Sequence, residues 1–297
     1  MFTLQTAINE FLQATEADGA SPDTLQWHKS ILGTFAGFVP DGIMLDSLQP
    51  GQIRDYIIWA QKSYAPDSAH GHKRVQHRFW TWCHAEYGLI NPMRNIKFSA
   101  PPKQSAPKAA ETADIVRLFD ACGDDYTGRR DRAILAFLAD TGARAGGICS
   151  LTLTNLDMKN HRAIVIEKGR KARTVVFTAF TAGLMDQWLK GRPDVPYVFF
   201  NMRTQEPLTR SGLEQLMKRL KKKAGVKGRT NPHAFRHAFA REYLKNGGDL
   251  ATLSRLMGHA DVSTTAAHYA LYTQNELATM HEALSPMNQI QAALEAK

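Results

Sequence analysis

Apolar residues recur at helical spacing through the first hundred positions. Leu4, Ile8, Phe11 and Leu12 form one stripe, since side chains four and seven apart share one face of a helix. At Ser21 the stretch "SPDT" sets a hydroxyl N-cap before a proline in the first helical position, and Leu25, His28, Leu32 and Phe35 follow in register. A third helix is predicted from near Pro50 through Ile53 and Ile57. A fourth turns Val75, Phe79, Trp82 and Cys83 inward, leaves Lys73, Arg74, His77 and Arg78 on its remaining surface, and stops at Gly88 and Pro92.

The periodicity then lapses. "SAPPKQSAPKAA", residues 99–110, is proline-rich and carries Lys103 and Lys108, so it reads as a semi-extended linker. It separates a helical domain, 1–98, from a second domain, 111–297. There, helices are predicted through Ile115, Leu118 and Phe119 and through Ala133, Phe137 and Leu138. From Arg162 the apolar period shortens to that of a strand, and "AIVIEKGRKARTVVF" reads as two strands joined by a turn around Gly169. Helices resume with "SGLEQLMKRLKKKAG", in which Ser211 and Glu214 have capping-box spacing. Near the end come "TQNE", then Leu277, Met280 and Leu284, a break at Pro286, and a short stripe through Ile290 and Leu294. The chain is therefore expected to be mainly α with a small β-sheet.

Composition narrows the class. With 297 residues, 43% hydrophobic and 22% charged, the chain has enough apolar material for two cores. Its longest apolar run, "AILAFLA" from Ala133, is far short of the ~20 residues that span a bilayer. Cys83, Cys122 and Cys149 form no CxxC pair, which fits a reducing, cytoplasmic setting. The net charge is +9, and it is unevenly spread: residues 1–100 hold 8 Lys or Arg against 9 Asp or Glu, the remainder 29 against 19. That excess suggests a polyanion along one side.

Candidate chemistry gathers in four segments of the second domain. They are "DTGARAGGICSL" with Arg144, "IEKGRKARTV" with Lys168, "PHAFRHAF" with His233 and Arg236, and "LMGHADVSTTAAHYALY" with His259 and Tyr269. His233, Arg236 and His237 can share one helical face, but Ala234 stands where a His-Glu-x-x-His zinc peptidase needs its glutamate. No GxxxxGK[ST] or GxGxxG signature is present either. Two guanidiniums with imidazoles, a lysine and a phenol suit metal-free phosphoryl transfer, because forked N–H donors neutralise the charge that gathers on non-bridging phosphate oxygens.

In this order and at these separations the segments resemble the tyrosine recombinase (phage integrase) family, whose pattern is an Arg after a Thr-Gly turn, a hairpin Lys, His-x-x-Arg, Gly-His, and a Tyr nine or ten residues later. The resemblance covers roughly residues 111–272. It implies a helical SAM-like core-binding domain followed by an α+β catalytic domain, in a compact Xer-like arrangement. It also implies site-specific recombination through a 3′-phosphotyrosine intermediate without a cofactor or metal, on double-stranded DNA, by a tetramer associated with the nucleoid. Arg144 and Arg236 would hold the phosphate, Lys168 would protonate the departing 5′ oxygen with Lys171 as its competitor, and His233 and His259 would bond the phosphate or take the nucleophile's proton. Tyr269 is the expected nucleophile, with Tyr272 three residues on as the alternative. His237 is expected to pack against the domain or support its neighbours.

DNA contacts are expected from Lys73, Arg74, Arg78, Lys103, Lys108, Arg170, Lys171, Lys221, Lys222 and Lys223. The tail beyond Tyr272 is expected to dock on a neighbouring protomer. One departure stands out. The family pattern continues Arg-x-x-Glu, whereas Gly146 and Gly147 follow Ala145 here; Asp140 is a candidate to orient Arg144 instead. A non-cleaving DNA-binding protein and a type IB topoisomerase-like relaxation activity are the rival readings.

Overall fold

The computed structural model describes residues 2–97, 109–167, 171–258, 261–269, 281–282 and 285–295. The chain divides into two compact units, Met1–Gln104 and Ser105–Lys297.

The first unit is built from α1 (Leu4–Ala17), α2 (Pro22–Ala36), α3 (Pro50–Ser63) and α4 (Pro66–Tyr87). The hydroxyls of Thr3 and Ser21 accept from the third backbone N–H beyond them and so cap α1 and α2. Proline opens α2, α3 and α4, and Gly88, at φ 66°, ends α4 in the left-handed conformation. Phe11, Phe35, Phe79 and Trp80 are fully buried where the helices meet. At about 1.5–3 kcal/mol for each large apolar side chain removed from water, they are a principal part of what holds the unit together.

The structure corrects one expectation here. Lys73 is only 8% exposed, and its ammonium donates to the carbonyl of Lys97. The reason is helical spacing: residue 73 shares a face with Ala69, Gln76 and Trp80, all buried. Arg74, His77 and Arg78 do lie on the exposed side, with the Arg74 guanidinium 5.3 Å from the Trp27 ring centre.

The second unit begins with α5 (Thr112–Asp120), α6 (Tyr126–Thr141) and the short α7 (Ala145–Cys149). A three-stranded antiparallel sheet follows: β1 (Leu156–Asp157), β2 (Arg162–Ile166) and β3 (Ala172–Val176), in that spatial order. Ala163 pairs with Val175 and Val165 with Arg173. Alternation turns Ala163, Val165 and Val175 into the core. Next come α8 (Ala179–Leu189), α9 (Arg210–Lys223), α10 (Pro232–Lys245), α11 (Leu250–Met257), α12 (Val262–Tyr269) and α13 (Pro286–Glu295).

The expected capping box of α9 is not formed. Thr209 is the cap, its hydroxyl accepting from Gly212 N at 3.0 Å, so Ser211 lies inside the first turn. Ala240, Leu244, Leu253 and Met257 make a small second core joining α10 to α11, with Tyr269 packed against it. No described helix is long and apolar enough to cross a membrane.

Candidate active site

The site is assembled where α6 ends. Thr141 donates its hydroxyl to the carbonyl of Phe137 at 2.6 Å and accepts from Ala143 N at 3.1 Å, fixing a turn through Gly142. Gly142 has φ 57°, and a Cβ there would lie 2.5 Å from the Phe239 ring. Only glycine suits both the backbone angle and the space. The turn delivers Arg144 as the extended N-cap residue of α7.

Arg236 projects from α10 into the same region and is 5% exposed. Its guanidinium donates to the carbonyls of Gly142 at 2.6 Å and Met257 at 2.7 Å, linking the turn to the end of α11. Burial, and then the neighbouring charge of Arg144, lower its pKa to about 10, while Glu167 pulls the other way. It stays charged at neutral pH.

Glu167, just past β2, is the residue that sequence reasoning missed. Its carboxylate accepts from the Arg144 guanidinium, from Arg144 N at 3.4 Å, and from Arg173 Nη2 at 2.8 Å. Asp140, the acid expected to orient Arg144, is engaged elsewhere. Its Oδ2 accepts from Thr178 N, Thr178 Oγ1 and Thr181 Oγ1 at 2.7–2.8 Å and so ties the start of α8 to α6. Those contacts turn the Asp140 carboxylate toward α8, and the acid that meets the Arg144 guanidinium is Glu167.

Tyr269 closes the arrangement from α12. Its phenol shares a 2.5 Å hydrogen bond with Nδ1 of His237 on α10. Burial pushes the phenol up to about 12 against the opposing pull of Arg236 and Arg144, so both arginines act electrostatically on the phenolic oxygen. His237 thus supports a neighbour, and that neighbour is the expected nucleophile. His233, in the first turn of α10, is exposed, so the imidazole placed on the phenol belongs to residue 237. Among the described residues no three His, Cys, Asp or Glu side chains are arranged to hold a metal ion.

Lys168, Arg170, His259, Tyr272, Lys103 and Lys108 lie outside the described residues. Their chain neighbours are placed: Glu167 and an exposed Lys171 flank the hairpin turn, and Gly258, at φ 66°, ends α11 just before His259. Lys222 and Lys223 are exposed on α9 and Lys221 is half-buried. The double glycine does not prevent α7 from forming. It lets the helix lie against β2, since a Cβ at Gly147 would come within 3.0 Å of the Cβ of Val165.

Residues 109–276 match the model of the phage integrase family. Tyrosine recombinase XerD of Listeria innocua is 28% identical over 295 residues, covering 94% of this chain and 98% of its own. Tyrosine recombinase XerC of Bacillus licheniformis is 32% identical over 56% of this chain and 59% of its own. Among solved structures, the Tn1549 transposon integrase in complex with a circular intermediate DNA superposes with a TM-score of 0.77 at 18% identity, covering 96% of this chain and all of that one. A lambda integrase dimer bound to a core site gives 0.72 at 16% identity, over 89% and 97%. The family match spans more than half of the sequence and contains Arg144, Arg236 and Tyr269; this chain belongs to the phage integrase family of tyrosine recombinases.

Proposed function

We propose that this recombinase cuts and rejoins DNA through Tyr269. The phenol passes its proton to a neighbouring imidazole as its oxygen attacks the scissile phosphorus, forming a 3′-phosphotyrosine bond, and the 5′ oxygen leaves with a proton from Lys168. Arg144 and Arg236 neutralise the non-bridging oxygens, and His233 and His259 complete the hydrogen bonds to the phosphate. The phosphodiester energy is retained in the protein link, so reversal by another 5′ hydroxyl restores the DNA without a nucleotide cofactor. The observation that carries this reading is the phenol of Tyr269 set beside His237 within the field of both arginines.

The substrate is double-stranded DNA with specific sites, in the cytoplasm and associated with the nucleoid, and the working assembly is a tetramer on two sites. Arg74, Arg78, Lys171, Lys222 and Lys223 would meet backbone phosphates, a role their exposure supports, and such contacts give salt-sensitive affinity with little sequence information. The other DNA contacts in this reading are Lys103, Lys108, Arg170 and Lys221. The expected tail contact has support in α13, where Met287, Ile290 and Leu294 are exposed at helical spacing.

The test is to incubate the chain with nicked duplexes carrying candidate sites and look for a covalent protein–DNA adduct. Adduct that forms with the wild type and vanishes in Tyr269→Phe supports the assignment. Adduct persisting in that variant moves the nucleophile to Tyr272.

A further inference from the structure

We infer that Glu167 is the positioning residue of this site: its single carboxylate aims Arg144 and, through Arg173, fixes the end of α11 against the hairpin. The inference rests on the reading that Arg144 holds the scissile phosphate.

Arg144 sits at the mouth of a five-residue helix, with its side chain 34% exposed. A long side chain in that place keeps its rotamer freedom unless something holds the guanidinium. The residues that follow, Ala145, Gly146 and Gly147, bring no carboxylate. A Cβ at position 147 would lie 3.0 Å from that of Val165, so a side chain there requires β2 to give way by a few tenths of an ångström. Val165 and Glu167 are two apart and point the same way from the strand. The close approach of α7 to β2 at residue 147 therefore also brings the carboxylate at 167 to Arg144.

The side chain of Glu167 is 6% exposed, and a buried carboxylate is tolerated only where both oxygens are matched. Here Oε2 takes the Arg144 guanidinium, while Oε1 takes Arg144 N and Arg173 Nη2. Arg173 sends its other arm to the carbonyl of Leu256, and the next carbonyl, that of Met257, receives Arg236. The series joins β2, the turn 142–144, β3 and α11, which are the elements bordering Lys168 and His259. It is also electrostatic. Arg144, Arg173 and Arg236 repel one another, and Glu167 opposes that repulsion. Burial pushes the Glu167 carboxyl up, but Arg173, Arg144 and Arg236 outweigh it and hold it below the ordinary range, so it is ionised at neutral pH.

A residue acting through the charge of Arg144 makes a prediction that a merely structural one does not. On the duplex that gives an adduct with the wild-type chain, Glu167→Gln is expected to slow adduct formation ~10- to 100-fold, the range for loss of a supporting group, with DNA affinity unchanged. Replacing the scissile phosphate by a methylphosphonate removes the negative charge that Arg144 neutralises. The variant's deficit should then shrink to about threefold or less. Arg144→Ala should show the same relief from a larger initial loss.

An undiminished rate in Glu167→Gln, or equal losses on both linkages, overturns the inference. If Arg144→Ala is indifferent to the linkage, the phosphate-holding reading itself fails; if only Glu167→Gln is silent, that reading stands and the inference alone falls. Should the glutamine variant not fold, Glu167→Asp keeps the charge with a shorter reach. It is expected to lose rate on the phosphate but not on the methylphosphonate, and equal losses overturn the inference here too.

Discussion

The phenol of Tyr269 and Nδ1 of His237 lie 2.5 Å apart, joining α12 to α10. Burial outweighs the pull of Arg236 and Arg144 and raises the phenol to about 12. An unfolded phenol ionises near ~10. The stability that this residue contributes is therefore fully present below that value and is lost as pH rises toward 12, because only the unfolded chain gives up the proton in that window. An alkaline absorbance titration of the folded chain should lose one phenol near 12 in Tyr269→Phe. A difference spectrum that instead titrates near ~10 contradicts the burial of this group.

Arg236 carries both charge and structure. Arg236→Ala leaves the carbonyls of Gly142 and Met257 without this donor, at about 1–3 kcal/mol for each that stays unpaired, and should lower the denaturant midpoint as well as the rate. Arg236→Lys keeps the charge without the fork, and adduct formation is expected to fall ~10²- to 10³-fold. Single-turnover kinetics beside urea unfolding separate the two effects.

Gly142→Ala tests the turn. The positive φ disfavours alanine by roughly 1–2 kcal/mol, and the new methyl must also displace the Phe239 ring. Equilibrium unfolding should show at least that loss, together with slower cleavage from a displaced Arg144. A neutral result would mean that the turn relaxes freely.

Basic residues that look alike in the sequence should behave differently. Removing Arg78 or Lys222, both exposed, is expected to reduce the slope of log affinity against log salt by ~0.9 for each phosphate no longer neutralised. Lys73→Met should leave that slope unchanged and cost stability instead, since its ammonium serves the carbonyl of Lys97. Filter binding across a salt series, alongside melting curves, distinguishes them.

A chain ending after Pro286 lacks most of α13 and with it Met287, Ile290 and Leu294. Sedimentation with DNA should show impaired tetramer assembly, and strand exchange should weaken. Unchanged assembly and exchange would mean that the helix packs within its own protomer.

What the sequence made legible follows from range. Ser21 before Pro22, the stripe through Ile8 and Phe11, and the hairpin flanking Gly169 are local patterns, and β2 and β3 lie where the change of period places them. Arg144, Arg236 and Tyr269 could be singled out because their motifs are short. Glu167 could not, since it meets Arg144 across 23 positions through the packing of α7 on β2, which no local spacing encodes. The family pattern has its acid at position 147, and the glycine there is the signal in the sequence that the carboxylate comes from elsewhere. For Lys73 charge suggests exposure, while the helical phase that buries it is written in Ala69, Gln76 and Trp80. His237 beside Tyr269 depends on how α12 returns over α10, a tertiary fact.

The two arms of Arg236 rest on main-chain oxygens, those of Gly142 and Met257. Every amino acid supplies such an oxygen, so this mooring is indifferent to mutation of the residue types around it as long as the loop and the helix end keep their course. Substitutions around it can then accumulate without re-aiming this guanidinium. Arg144, moored to a side chain, has no such immunity. It is the member of the pair whose support must be reinvented when its acid is lost.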